Sequence, residues 1–324
     1  MPKPVILYYD LLRYVPAVRA FMDEHFEVVA LPSPAQDTPE MLARPEVLLA
    51  PLGYPVGAEK LELCSKLRVV ASSTLSVPHI DLSAAAERGI EVVWLSEAER
   101  SRLESVTPTA ELCWALIIAL TRHIPQAHRT VCAGNWDGRY FGRRTPRMLS
   151  SMTLGILGLG RLGSMVASRG KAFGMEMLYY SPKSTNADYR RCGSPLELAA
   201  QSDILSVHAH LTPETEKMCD AALFAAMPPG SYFINTARGG LVDEPALLEA
   251  LRTGHLAGAA TDVLSDEYRP DFRERLGENP LVLYAREQDN LIITPHYAGA
   301  TVDAWMTTQM RTLELVVKHY TKGN

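Results

Sequence analysis

The sequence predicts an α/β protein with two doubly wound parallel-sheet domains, and three observations carry that prediction. Short apolar runs recur along the chain with polar or helical stretches between them, the rhythm of parallel strands covered by helices on both faces. A glycine-rich turn, Gly158-Leu159-Gly160-Arg161-Leu162-Gly163, lies between one such run and a helical pattern. The length of 324 residues corresponds to two domains at roughly 150 residues each.

In chain order, residues 5–9, 47–50 and 67–71 read as the first strands. Residues 83–88 form a short helix closed by Gly89, and 90–94 a further strand. From Ser105 to about Thr130 the period turns helical. Pro108 near its start lacks only an amide that the first turn leaves unpaired, and Leu112, Leu116 and Leu120 share one face. Residues 134–151, rich in Gly, Arg and Pro, have no period and read as a loop or arm. Six strands follow at 154–157, 177–180, 204–208, 232–235, 259–263 and 291–294. Trp305, Met306, Met310, Leu313 and Val317 then trace the apolar stripe of a closing helix. A domain boundary falls near residues 100–105; a second crossing near 295 does not follow from pattern alone.

Composition excludes several classes of function. Hydrophobic residues make up 47% and charged residues 21%, as in an ordinary folded protein. Thirty-two basic against 37 acidic side chains give a net charge of −5, which argues against an electrostatic partner such as nucleic acid or an anionic membrane. Five widely spaced cysteines without a CxxC pair argue against a disulfide framework or a structural zinc site, so no metal is expected. No apolar run approaches the ~20 residues that span a bilayer. The run at 5–9 is stopped by Asp10 and Arg13, so no secretory leader is expected and a reducing cytoplasm is the expected compartment.

The glycine loop carries the first chemistry. In a strand–turn–helix context, the first glycine permits the tight turn and the second lets a pyrophosphate approach the backbone. The third lets helix and strand pack closely, and the helix N-terminus holds the phosphate charge. A carboxylate some 20 residues on, at the end of the next strand, would hold the ribose hydroxyls of NAD. Ser181 stands at that place and Lys183 follows it. A serine with a nearby lysine does not repel a 2′-phosphate, so the reading leans to NADP over NAD.

Three further clusters end predicted strands, where open α/β sheets place their ligands. They run from Asn235 through Thr236, Ala237 and Arg238 to Asp243, from Asp262 to Glu267, and from Thr294 through His296 and Ala298 to Thr301. Together they offer a permanent bidentate cation, carboxylates and an imidazole. Singly each has a plain reading: Asp243 with Glu244-Pro245 is a helix N-cap, and His296 a core histidine.

On these residues the chain resembles the D-isomer-specific 2-hydroxyacid dehydrogenase family, over roughly Leu67 to Thr301. The resemblance rests on the run from Gly155 to Gly163, on Asn235 to Asp243 with its Ala-Arg-Gly, and on Thr294-Pro295-His296 with Ala298 to Thr301. It implies that Arg238 orients the substrate carboxylate and carbonyl, that His296 is the general acid/base, and that Glu267 raises the histidine pKa. Asp262 matches the residue that holds the nicotinamide carboxamide. Coenzyme contacts are expected from Gly158, Gly160, Arg161, Leu162 and Gly163, and from Ser181 and Lys183. Ala209, Thr236, Ala237, His296 and Ala298 complete that set. In the family a Gly-x-Gly-x-Asp loop turns backbone amides to the substrate carboxylate. Here Leu75 and Ser76 hold the matching positions, and their added side chains are expected to narrow the pocket.

The same resemblance implies a Rossmann coenzyme domain, 104–295, inserted into a flavodoxin-like substrate domain formed by 1–103 and 296–324. It also implies a homodimer built on an arm near 120–150. The function read from the sequence is hydride transfer between NAD(P)H and a small 2-keto or 2-hydroxy acid. The alternative is a dinucleotide-sensing, corepressor-like regulator of the same fold with little turnover. Among weaker candidates, Arg100 and Arg102 could select a second anionic group, although Glu97, Glu99 and Glu104 beside them favour a solvated charged segment. Cys113 and Cys132 are expected as buried small hydrophobes.

Overall fold

The computed structural model describes residues 2–96, 98–99, 103–136, 145–269 and 271–322. Arg100 and Arg102, and the part of the predicted arm at 137–144, lie outside the described residues. The chain divides into two compact units, one of Met1–Val106, Tyr268–Pro270 and Ala300–Asn324, the other of Thr107–Glu267 and Asp271–Gly299.

The first unit holds β1 (Val5–Tyr9), α1 (Pro16–His25), β2 (Glu27–Leu31), α2 (Pro39–Leu42), β3 (Val47–Leu49), α3 (Ala58–Leu63), β4 (Val69–Ser72), α4 (Leu82–Glu87) and β5 (Glu91–Trp94). Its strands pair in parallel in the order β2-β1-β3-β4-β5. Alternate residues of β1 go to opposite faces. Ile6 and Tyr8 join a core with α1 and the C-terminal helix Val302–Lys322; Leu7 and Tyr9 join another with Leu61 and Ala85. Both faces are therefore covered, which is why these strands read as continuous apolar runs.

β2 escaped the sequence reading because it is an edge strand with an exposed glutamate at its start and only Leu31 buried. The C-terminal helix forms as expected, but its fully buried positions include Thr312, Leu313 and Val316, while Met306 is exposed. Gln309 is buried on that helix too, where it accepts from the Val15 amide and donates to the Leu12 carbonyl. Two polar residues on the inner face thus hid the true stripe.

The second unit holds α5 (Pro108–Thr121), α6 (Ile124–Cys132), β6 (Thr153–Leu157), α7 (Arg161–Ala172), β7 (Glu176–Tyr180), β8 (Arg190–Arg191), α8 (Pro195–Ala200), β9 (Ile204–Val207), α9 (Ala221–Ala226), β10 (Ser231–Asn235), α10 (Glu244–Arg252), β11 (Leu256–Thr261), α11 (Phe272–Arg275), α12 (Pro280–Glu287) and β12 (Leu291–Ile293). The parallel order is β12-β11-β10-β9-β6-β7-β8, so the chain reverses direction across the sheet between β6 and β9. One face packs Leu154, Ile156 and Ile234 on Trp114, Ile117 and Val166. The other packs Leu205, Val207 and Phe233 on Leu198, Phe224 and Leu251.

The single helix expected over 105–130 is two. His123 takes a left-handed conformation at φ 52, and Pro125 starts α6. Helix α6 buries none of its residues, so Cys132 is exposed rather than packed, whereas Cys113 is fully buried. No described helix is long and apolar enough to cross a membrane.

Candidate active site

β6 delivers the chain into Gly158, which adopts φ +102 and donates its amide to the Tyr180 carbonyl at 2.9 Å. A Cβ there would lie 2.7 Å from the Ala209 nitrogen and 2.8 Å from the His208 carbonyl, so the loop rests on the end of β9. A Cβ on Gly163 would fall 2.2 Å from the Gly158 carbonyl oxygen. The protein's own packing therefore demands glycine at both positions. Gly160 is different. It caps α7 with φ −87, a conformation open to any residue, and a Cβ there would meet nothing within 4 Å. Open space at a helix N-terminus is the cradle a pyrophosphate requires. The residues present fit a dinucleotide. Arg161 and Leu162 form the first turn of α7, both partly buried.

At the end of β7, Ser181 is buried and its hydroxyl accepts from the Ser184 amide at 3.2 Å. Lys183 is exposed. Arg191, at the end of the edge strand β8, donates Nη2 to the Ser181 carbonyl at 3.0 Å, bringing a second cation to this strand end. Sequence reading missed Arg191 because a two-residue strand leaves no periodic trace.

Three adjacent strand ends carry the remaining groups. After β10, Asn235 Oδ1 accepts from the Ala237 amide and its Nδ2 donates to the Arg238 carbonyl, both at 3.0 Å, which fixes the turn that bears Arg238. Thr236 is buried and Ala237 partly so. A Cβ on Gly239 would lie 2.1 Å from the Leu264 carbonyl carbon, so this turn is seated on the one after β11. Glu244 reinforces the contact by accepting from the Ser265 amide at 2.6 Å; burial lifts its carboxyl above the ordinary value. Asp243 caps α10 through the Ala246 amide, in line with its plain reading.

After β11 and β12 come the carboxylates and the imidazole. Glu267 Oε1 lies 2.8 Å from His296 Nδ1, with the two side chains 11% and 26% exposed. Each sits beside or on a left-handed residue, Asp266 at φ 61 and His296 itself at φ 48. Left-handed backbone costs an L-residue roughly 1–2 kcal/mol, so both turns are held from outside. Asp262, 1% exposed, supplies the hold on the turn that bears His296. Its Oδ1 accepts from Thr294 Oγ1 at 2.5 Å and the Tyr297 amide at 3.2 Å, and its Oδ2 from the Ala298 amide at 2.9 Å. Burial raises the Asp262 carboxyl, opposed by the hydrogen bonds from Thr294, Ala298 and Tyr297. These bonds tie the 294–298 segment to β11, and the unit that contains His296 runs on to Gly299.

Arg238, Asp262, Glu267 and His296 thus all belong to the second unit, as do the glycine loop and Ser181. Leu75 and Ser76 belong to the first, in the turn after β4. There Leu75 is exposed, and the Ser76 carbonyl accepts from Thr74 Oγ1 at 2.7 Å. Among the described residues no cluster of His, Cys, Asp or Glu has the makings of a metal site.

The sequence profile of the D-isomer specific 2-hydroxyacid dehydrogenase family, NAD binding domain, matches residues 114–298. The chain belongs to that family. Among its curated relatives are the D-3-phosphoglycerate dehydrogenases of Methanocaldococcus jannaschii, 36% identical over 270 residues, and of Bacillus subtilis, 34% identical over 283. Those alignments cover 82% and 86% of this chain but 48% and 50% of the relatives, so the chain spans about half their length. Among solved structures, the D-lactate dehydrogenase of Aquifex aeolicus complexed with NAD and lactic acid matches with a TM-score of 0.81 at 27% identity, covering 98% of this chain and 96% of that one. The TT0316 protein of Thermus thermophilus matches with a TM-score of 0.80 at 30% identity, covering 97% and 96%. Both α/β units are thus of the family's fold.

Proposed function

We propose that this family member is an NAD(P)-dependent 2-keto acid reductase acting on a small acid. The observation that carries the reading is the His296–Glu267 pair at 2.8 Å beside the arginine-bearing turn. When bound, the dihydronicotinamide supplies a hydride to the 2-carbonyl carbon. The chain's own residues do the rest. Arg238 holds the substrate carboxylate with a fork of donors that cannot lose its charge. Glu267 engages Nδ1, fixing the ring and stabilising it when it carries a proton, so proton exchange with the substrate oxygen runs through Nε2. The proton passes from His296 to the oxygen as the carbonyl becomes an alcohol, and the reverse transfer serves oxidation.

We assign the coenzyme contacts to the glycine loop, to Thr236 and Ala237, and to Ala209 and Ala298 at the neighbouring strand ends. NADPH is favoured over NADH because Ser181 replaces a carboxylate while Lys183 and Arg191 add two cations, neither ion-paired among the described residues. A second copy of the chain is the proposed partner. Ile124, Val131, Trp136 and Met148 are 49%, 45%, 88% and 74% exposed, large apolar side chains of the kind that association covers. The test of the catalytic reading is turnover of NADPH and NADH with 2-keto acids, compared with a His296→Ala variant.

A further inference from the structure

A buried carboxylate without a cation is expensive, and an ordinary turn does not need one. Asp262 is such a group: it is buried, and no lysine or arginine lies within ion-pair distance of it among the described residues. Its three donors come from one short segment, the Thr294 hydroxyl and the amides of Tyr297 and Ala298, which straddle the histidine. The amide of His296 itself turns back to the Thr294 carbonyl at 3.0 Å. The segment is therefore wound around the carboxylate with His296 at its left-handed apex.

We propose that Asp262 is a positioning residue: its carboxylate clasps the 294–298 turn and so keeps the His296 imidazole on Glu267. The proposal rests on the reading of His296 as the group that exchanges the substrate proton. The clasp acts within the protein and is present without coenzyme, and the chemistry of the side chain makes it testable on its own. An asparagine of the same shape cannot clasp this turn, because in either orientation its amino group faces a backbone N–H, that of Ala298 or that of Tyr297.

The experiment uses Asp262→Asn in the full chain with three readings. These are NADPH and NADH affinity without substrate, kcat and KM with a 2-keto acid that the wild type reduces, and the NMR signal of the proton shared by His296 Nδ1 and Glu267. That signal is assigned by its loss in Glu267→Gln. The clasp predicts kcat lowered tenfold or more and a lost or displaced Nδ1 signal already in the chain without coenzyme. Thr294→Val removes one donor and shifts the same readings by less; Thr294→Ser restores them. That pair carries the test if Asp262→Asn does not fold. An unmoved signal overturns the proposal, and an unmoved signal with weakened coenzyme affinity makes Asp262 a coenzyme ligand instead. If the wild type reduces no 2-keto acid, the catalytic reading fails while the Nδ1 signal still decides the clasp.

Discussion

Two alanine substitutions in the same loop, at Gly160 and Gly163, separate binding from packing. At Gly160 a methyl enters open space with an allowed φ of −87. Alanine is a poorer N-cap than glycine by about 0.5 kcal/mol or more, and restricting the unfolded chain returns about 0.4–1 kcal/mol. The net change in stability is close to zero. A pyrophosphate seated on that backbone would instead meet the methyl. Losing one charge-assisted hydrogen bond to phosphate costs about 1.5–3 kcal/mol, a weakening of about 10- to 150-fold. At Gly163 the methyl would lie 2.2 Å from a backbone carbonyl oxygen that cannot rotate away. Overpacking costs about 1–3 kcal/mol and the helix regains about 1 kcal/mol; a backbone oxygen that cannot yield puts the cost at the upper end, for a net loss of about 2 kcal/mol. In a domain of this size that lowers Tm by about 4–8 °C. Isothermal titration with NADPH and NADH, beside thermal melts, reads both quantities. Gly160→Ala with wild-type coenzyme affinity, or with a melting point lowered as far as that of Gly163→Ala, would refute the reasoning.

Placing a carboxylate at the end of β7 by Ser181→Asp should lower the NADPH-to-NADH ratio of kcat/KM at least about tenfold, because it repels a 2′-phosphate and accepts from ribose hydroxyls; an unchanged ratio removes Ser181 from coenzyme choice. His208 is pushed down by burial to about 4 from 6.5, so it is neutral in the folded chain and takes up a proton on unfolding below about pH 6.5. The stability it contributes is complete above pH 6.5 and falls as pH drops towards 4, by about 3 kcal/mol in all. Melting curves across that window should steepen for the wild type relative to His208→Gln, and parallel curves would contradict the assignment.

The parts of the fold legible in the sequence are those where a residue type has one physical use. Gly158 and Gly163 announce the β6–α7 turn because no side chain fits there. Central strands such as β9 and β10 are buried along their whole length and so read as apolar runs. Edge strands β2 and β8 were not legible, since a strand with one solvated flank loses its pattern. The break between α5 and α6 was signalled by Pro125, but the helical period on both sides masked it. Within the site, Arg238, Glu267 and His296 could be named from local runs. What joins them could not. The Asp262 clasp spans 32 to 36 residues, and the seat of Gly239 on Leu264 exists only once β10 and β11 are paired. The local signal for the clasp was present as a strand-end aspartate, yet only the fold reveals that its oxygens turn to the histidine segment.

In the proposed function, His296 transfers a proton as a 2-keto acid is reduced. The most direct measurement of that transfer is the loss of nicotinamide absorbance from NADPH and NADH with glyoxylate, hydroxypyruvate and pyruvate, for the wild type and His296→Ala side by side. The expected result is turnover of at least one acid by the wild type and a loss of about 10² or more in the variant. Equal rates in the two would contradict it, and so would coenzyme binding with no acid reduced, the behaviour of a dinucleotide-sensing regulator.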